Sequence, residues 1–256
     1  MEVRPIRRDE SSQFLRLLCE VFTLDYTRAE GIFYKEPMFD LQRKWALFDG
    51  PEMVSILTTV PLTFGWGRSI GIAGVATASQ RQNRGYAQCL LETVLSDAHE
   101  KGEGSALLFA RARGLYQRVG FTELDEVVRG EIPGSVDDTT GPILEFDEVR
   151  KMYGAWADQD PARLRRDDQR WNYWKWTLRM CAPIEGGYAC LEGNVVREAV
   201  SDSRPSSWPV GKGAEWFGLT GMARHLGLEM RSPSADLVLM GYNFPGVPQM
   251  FMTDQF

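Results

Sequence analysis

The chain has 256 residues, of which 43% are hydrophobic and 25% are charged, and its formal net charge is −6 at pH 7. These proportions are typical of a globular protein built as one large domain or two small ones. The acidic balance argues against nucleic acid as a partner, because phosphate binding needs a clustered basic surface. No apolar run approaches the roughly 20 residues that cross a bilayer, and the first residues are charged where a signal peptide is apolar. We therefore expect a cytoplasmic protein that does not associate with membranes.

The cysteines and histidines do not indicate a metal site. The four cysteines are irregularly spaced and contain no Cys-x-x-Cys pair, which favours reduced thiols over disulfides or a zinc cluster. They are Cys19, Cys89, Cys181 and Cys190. The only histidines are His99 and His225, so a histidine-based metal site is not expected either.

Residues 1–134 alternate between strand-like and helix-like segments. The spacing of apolar residues predicts helices at 11–22, 25–36, 84–101 and 115–118, and Gly102 is a typical C-cap for the third. Strands are predicted at 3–6, 44–48, 53–62, 70–76, 105–110 and 120–132. The helix at 115–118 is too short to cross over a sheet. The pattern therefore predicts an α/β protein with a mixed, α+β-like sheet rather than a regular Rossmann repeat.

Residues 133–142 are rich in proline, glycine and small polar residues and predict a linker between two domains, 1–134 and 143–256. The second half contains six of the eight tryptophans, starting at Trp156. Its predicted elements are strands at 187–191, 195–200 and 236–242 and a helix at 216–226. The tryptophans favour packing in the core and between domains. The alternative, a stacking platform for single-stranded nucleic acid, needs a basic groove that an acidic chain does not indicate.

Residues 74–87 have the features of an anion-binding loop between a buried strand and a helix. The first turn of a helix has unpaired backbone N–H groups and partial positive charge. Gly85 has no Cβ, so that an anion can approach the backbone closely, and Arg81 and Arg84 add charge at the same end. The segment has neither a Walker A motif nor Gly-x-Gly-x-x-Gly, which argues against ATPases and nicotinamide-dependent enzymes.

Two motifs resemble those of the GNAT superfamily of acyl-CoA-dependent N-acyltransferases. Residues 82–87 (Gln-Asn-Arg-Gly-Tyr-Ala) are similar to the Gln/Arg-x-x-Gly-x-Gly/Ala signature, and residues 115–121 (Leu-Tyr-Gln-Arg-Val-Gly-Phe) are similar to the Tyr-x-x-x-Gly-Phe segment. The resemblance implies a GNAT fold over the first half, followed by a second, degenerate GNAT-like domain. This arrangement is similar to the tandem branch that includes the enhanced-intracellular-survival acetyltransferases, without their third domain.

The resemblance also implies roles for individual residues, with acetyl-CoA as co-substrate and no metal. The pantetheine arm would pair with the backbone of Val75, Ala76 and Thr77. The pyrophosphate would be held by the amides of Gln82, Asn83, Arg84, Gly85, Tyr86 and Ala87. Tyr116 would protonate the departing thiolate, which a phenol with a pKa near 10 can do at neutral pH. The alternative role for Tyr116 is that of a packed aromatic residue.

The general base is left open. Asp25, Glu30 and Glu36 lie in the region that forms the acceptor wall in this family, and each is also consistent with a solvated surface charge. In the tandem branch a chain-terminal carboxylate reaches the active site. We do not assign that role to Phe256, because the third domain of that subgroup is missing.

The resemblance favours an acetyl-CoA-dependent N-acetyltransferase that acts on a small-molecule or peptide amine. The amine would attack the thioester directly, because no histidine is placed to activate Cys89 for a covalent intermediate. The acidic balance mildly favours a cationic acceptor. One alternative is an acyl-CoA-binding sensor without turnover. Another, transfer from an aminoacyl-tRNA as in Fem-type proteins, would need a basic surface.

Overall fold

The computed structural model describes residues 1–133, 143–177 and 179–256. Strands β1 to β11 span Glu2–Pro5, Lys44–Asp49, Glu52–Phe64, Gly67–Thr77, Ala106–Ala110, Thr122–Glu131, Met180–Ile184, Gly187–Glu192, Val195–Ser201, Glu215–Leu219 and Arg231–Tyr242. Helices α1 to α7 span Ser11–Phe22, Tyr26–Phe33, Tyr86–Glu100, Gly114–Val119, Phe146–Ala157, Asp168–Trp176 and Thr220–His225.

The eleven strands of the described residues form one mixed sheet. Their order is β1-β2-β3-β4-β5-β11-β6-β10-β9-β8-β7. Neighbouring strands are antiparallel except for two parallel pairs, β4 with β5 and β9 with β10. The last strand of the chain, β11, lies between β5 and β6 and pairs with both. A strand of the second half therefore completes the sheet of the first half.

The two faces of the sheet at β4 and β5 pack against different parts of the chain. Ile70 and Ile72 of β4 belong to the core cluster that includes Leu91 of α3. Leu107 of β5 belongs to a cluster made mostly of residues from the second half. Because side chains alternate along a strand, Gly71 of β4 faces the second half, opposite α3.

The structure confirms the mixed sheet and corrects one predicted helix. The predicted helix at 216–226 begins inside strand β10, which spans Glu215–Leu219, and only Thr220–His225 is helical. Strand β10 lies between β6 and β9 and its residues from Trp216 on are buried. A strand covered on both faces has a continuous apolar run, which periodicity cannot distinguish from the start of a buried helix.

Five of the six tryptophans from Trp156 onward pack in the core. Trp156, Trp171, Trp174, Trp208 and Trp216 are buried, whereas Trp176 is 43% exposed. This confirms the interpretation as core packing.

The predicted linker at 133–142 lies, from residue 134 onward, outside the described residues. The division into two domains at this point therefore stays a prediction. Among the helices that the structure describes, none is long and apolar enough to cross a bilayer.

Candidate active site

The parallel strands β4 and β5 separate in the middle of the sheet. They pair from Ile70 to Ile72 of β4 and from Ala106 to Leu108 of β5. Beyond Leu108, β5 continues to pair with β11 on its other side. Gly74 has a φ of +59° in the bulged part of β4, where its register with β3 shifts. The backbone from residue 73 to residue 77 thus runs along an opening that β5 does not fill.

The loop after β4 leads into α3 through two left-handed residues. Asn83 has a φ of +61° and Gly85 a φ of +80°. A Cβ added at Gly85 would meet no atom within 4 Å, so the space above its backbone is open. The N–H of Cys89 donates to the Gly85 carbonyl over 2.9 Å. The amides of the first turn precede this bond and are therefore available to an anion.

A cavity of about 320 Å³ lies between the strand opening, the start of α3 and α4. Eight of the ten predicted site residues line it: Val75, Thr77, Gln82, Asn83, Gly85, Tyr86, Ala87 and Tyr116. The other two do not, since Ala76 is buried in the core that contains α1 and Arg84 is exposed. The structure therefore brings the two sequence motifs together around one cavity.

Some cavity residues were not predicted. They are Val21, Gln88, Leu115 and Arg118, whereas Arg81, which was predicted to add charge at this end, also lines the cavity. Gln88 directly follows the motif at 82–87, so extending that motif by one residue could have found it. Leu115 and Arg118 occupy variable positions of the motif at 115–121, and including those positions could have found them. Val21 comes from α1, which no sequence motif connects to the loop.

The positive charge at the cavity differs from the expected distribution. The guanidinium of Arg81 forms an ion pair with Glu52, and its Nη1 lies 4.0 Å from Asp49 Oδ2. Tyr86 also donates its hydroxyl to Asp49 Oδ2 over 3.2 Å. Arg81 is thus largely neutralised, whereas Arg118, which is exposed at the cavity, has no carboxylate partner among the described residues.

Tyr116 lies on α4, and the end of that helix explains the second motif. Gly120 ends α4 with a φ of +99°, and the N–H of Phe121 then donates to the Tyr116 carbonyl over 3.0 Å. This left-handed C-cap favours glycine. The ring of Tyr116 packs edge-on against Phe121, with 6.1 Å between centroids. Burial raises the pKa of Tyr116 above its usual value of 10, so its hydroxyl stays protonated at neutral pH.

The last residues of the chain lie on the other face of the opening. Phe256 packs on the ring of Phe109 in β5, with 5.5 Å between centroids. A Cβ added at Gly71 in β4 would lie 2.7 Å from Cε2 of Phe256. The second half therefore places an aromatic side chain next to the point where β4 and β5 separate, against the last paired residues, on the face opposite α3.

A buried ion network holds this carboxyl-terminal segment. Arg166 is fully buried and donates from Nε and Nη2 to Asp254, at 3.0 Å and 2.7 Å, and from Nη2 to Glu198 at 2.7 Å. Arg170 Nη2 donates to the carbonyl of Pro61 in β3 over 2.8 Å. Sequence reasoning missed this network, because its members are separated by as many as 88 positions along the chain.

The three candidate bases lie outside the cavity. Asp25 caps α2 by accepting the N–H of Arg28 over 2.7 Å, and Glu30 accepts the hydroxyl of Tyr26 over 3.0 Å. Glu36 does not line the cavity either. Within the described ranges, no group of three or more His, Cys, Asp or Glu side chains is arranged to hold a metal.

Comparisons with known proteins identify a GNAT domain in the first half of the chain. Residues 2–124 match the family described as acetyltransferase (GNAT) domain, and no curated protein matches the sequence. A GCN5-related N-acetyltransferase from Anabaena variabilis has a TM-score of 0.68 at 16% identity, over 94% of this chain and 72% of that one. One from Kribbella flavida has a TM-score of 0.72 at 17% identity, over 94% and 70%.

Eis1 from Mycobacterium abscessus has a TM-score of 0.61 at 14% identity, over 93% of this chain and 73% of that one. At these identities the likeness concerns the fold, and it extends over both halves of this chain. Residues 2–124, just under half of the chain, therefore match a GNAT acetyltransferase domain, and the single sheet takes strands from both halves of the chain.

Proposed function

We propose that this protein is an acetyl-CoA-dependent N-acetyltransferase that acts on a small-molecule or peptide amine. One observation carries the proposal: a single cavity joins the strand opening, the left-handed turn at Gly85 and the hydroxyl-bearing Tyr116. Strand backbone, free helix amides and a proton donor are the three elements that acyl transfer from CoA needs, and here they surround one space.

The residues present fit CoA as the acyl donor. The backbone of Val75, Ala76 and Thr77 runs along the opening and would hydrogen-bond the pantetheine arm. The amides from Gln82 to Ala87 would hold the pyrophosphate, helped by the partial positive charge of the helix start. The Gln82 side chain donates to the Thr77 carbonyl over 3.2 Å, which ties the loop to the strand.

The proposed reaction is a direct transfer. The neutral amine nitrogen attacks the thioester carbonyl carbon, an N–C bond forms and the C–S bond breaks. A backbone N–H of the opened β4 strand would stabilise the negative charge on the carbonyl oxygen. Tyr116 would give its proton to the departing thiolate, and the attacking nitrogen would lose its extra proton to water or to a base. Tyr116 would then regain a proton from water.

The alternative function, an acyl-CoA-binding sensor without turnover, is favoured by one observation. No carboxylate of the described residues lines the 320 Å³ cavity, so an internal base is not at hand there. A direct experiment separates the two functions. Release of free thiol from acetyl-CoA with a panel of amines supports the transferase, and CoA binding without thiol release supports the sensor.

We further propose that residues 1–134 are the catalytic unit and that residues 143–256 are a degenerate partner that shapes the acceptor side. The insertion of β11 between β5 and β6 supports a partner that does not separate from the first unit. The placement of Phe256 on Gly71 supports a contribution of the second half to the acceptor side of the opening.

We propose a cytoplasmic location, on the basis of the cysteines. Cys181 and Cys190 face each other on the paired strands β7 and β8, and both thiols are free. A reducing compartment keeps such neighbours reduced. The protein would be purified from the cytoplasmic fraction of its cells without reductant and then unfolded. Thiol titration is expected to find four free thiols.

A further inference from the structure

A second cavity, of about 330 Å³, lies beside the carboxyl-terminal segment. Its wall includes the side chains of Arg179, Arg197 and Glu192, together with Thr177 and Phe256. It is separate from the cavity that we assign to CoA, and the proposed reaction does not use its charged groups.

The charged side chains of this wall are two guanidinium groups and one carboxylate. Arg179 Nε lies 2.8 Å from Glu192 Oε1, and Arg197 Nη1 lies 2.7 Å from Glu192 Oε2. One carboxylate thus serves two guanidinium groups, and the side chain of Arg179 is only 5% exposed. The side chains of the wall therefore have a net charge of +1, which one further anion would neutralise.

Both arginines also have hydrogen-bonding capacity left over. Nη1 of Arg179 and Nε of Arg197 are buried and have no hydrogen-bond partner within the described parts of the chain. Their guanidinium carbons lie 5.3 Å from the Trp174 ring centroid and 5.4 Å from that of Phe217. Buried donors without a partner cost stability. If the guanidinium groups turned toward an anion in the cavity, these N–H groups would form charge-assisted bonds and that cost would be removed.

The position of this second cavity indicates which kind of anion it binds. Phe256 lines this pocket and also packs on Gly71 and Phe109, where β4 and β5 separate. Only the side chain of Phe256 would therefore separate a molecule in this cavity from the proposed acyl-transfer site. We propose that this pocket binds the carboxylate of the acceptor, so that the substrates are amines with a carboxylate at some distance from the nitrogen. This inference rests on the proposed acetyltransferase function.

The test compares matched acceptors, 5-aminopentanoate and pentylamine, which differ by the carboxylate. In the wild-type protein we expect kcat/KM to favour 5-aminopentanoate by about tenfold or more, the usual worth of a charge-assisted hydrogen bond. Replacement of Arg179 could unfold the protein, because its side chain is buried. Thr177→Glu avoids this problem, since Thr177 is exposed at the pocket and the new carboxylate competes for the arginines.

Thr177→Glu should bring the ratio of the two kcat/KM values close to one. The matched control is Asn172→Glu, which adds the same charge at an exposed position of α6 outside the pocket wall and should keep the wild-type ratio. A wild-type ratio near one, or the same effect from both variants, would overturn the proposal.

A binding measurement distinguishes failure of the carboxylate proposal from failure of the proposed transferase function. 5-Aminopentanoate is titrated by calorimetry into each protein saturated with CoA. If no amine releases thiol, the transferase proposal fails. In that case, binding that Thr177→Glu weakens by about tenfold still supports a carboxylate pocket, and no binding to the wild-type protein overturns it.

Discussion

The ring of Phe256 packs directly on the backbone of Gly71, and this contact connects the two halves of the protein at the proposed site. A Cβ added at Gly71 would lie 2.7 Å from both Cε2 and Cζ of the ring, closer than carbon atoms approach without a clash. The φ of Gly71 is not positive, so glycine is needed here for space and not for backbone conformation. The sequence of β4 thus contains a position that is shaped for the end of the chain.

Gly71→Ala is therefore expected to displace Phe256. We expect a loss of about 1–3 kcal/mol in the free energy of unfolding, typical of overpacking, and lower turnover with CoA affinity little changed. Urea unfolding, thiol release and calorimetry measure the three quantities. Adding Phe256→Leu should restore part of the stability. The control is Gly31→Ala, where an added Cβ meets nothing within 4 Å. Additive effects of the two substitutions at 71 and 256 would contradict the contact.

Gly85→Val should abolish CoA binding, because it puts a branched side chain above the first amides of α3. The left-handed φ of +80° means that valine also strains the backbone, by about 1–2 kcal/mol. Gly102→Val is the matched control, since Gly102 lies just past the other end of α3 with a φ of +75° and open space around it. Both variants should lose similar stability, and only Gly85→Val should lose CoA affinity in calorimetry. Unchanged affinity in folded Gly85→Val would exclude the loop as the pyrophosphate site.

Local patterns in the sequence were enough to predict the first half of the fold and most of the residues that line the cavity proposed for CoA. The helix at 11–22 is found with its predicted bounds, because its apolar residues follow one face. The anion loop and the segment around Tyr116 are also local motifs with their own turn chemistry. The position of β11 between β5 and β6 and the contact of Phe256 with Gly71 depend on residues far apart in the chain. Such long-range pairing leaves no periodic signal in either segment.

The stability of the protein should fall in acid through Glu198. Burial alone would raise the pKa of this carboxyl, but the contacts with Arg166, Thr253 and Tyr188 outweigh it, so that the pKa lies below its ordinary value. A lowered pKa in the folded state gives stability that is present above the unfolded value, near 4.3, and is lost as the pH falls through the folded one. The free energy of unfolding should therefore decrease from pH 5 downward.

Glu198→Gln should reduce this pH dependence and cost about 3–5 kcal/mol at pH 7, because it leaves two buried guanidinium groups, Arg166 and Arg170, with the single carboxylate of Asp254. Urea unfolding at pH 7, 5, 4 and 3 measures both effects. Glu100→Gln, at an exposed position on α3, serves as the control and should match the wild-type protein. An unchanged acid dependence in Glu198→Gln would show that other carboxyls cause it.

Residues 1–134 alone should not fold stably. The fragment lacks β11, which pairs with β5 and β6, so that two strand edges and the apolar surface around Leu107 would be exposed. We expect aggregation in size-exclusion chromatography and a weak, non-cooperative thermal transition by circular dichroism. Mixing in residues 143–256 as a separate chain should recover some soluble protein. A soluble fragment with full activity would reject the proposed role of the second half as a structural partner.

Tyr116→Phe tests the proposed proton donor, because it keeps the ring packing on Phe121 and removes only the hydroxyl. We expect kcat to fall by about 10²–10⁴-fold, the usual contribution of a positioned acid, while the Kd for CoA changes little. Since burial raises the pKa of Tyr116 above 10, the phenol stays protonated, and wild-type kcat should not fall on the basic side below pH 10 through this group. The control is Tyr242→Phe, which removes a hydroxyl from a ring that also packs on Phe121, at 5.6 Å, and should keep wild-type kcat. Wild-type turnover in a stable Tyr116→Phe protein would remove Tyr116 from the mechanism and leave the acyl-CoA assignment dependent on the loop at Gly85.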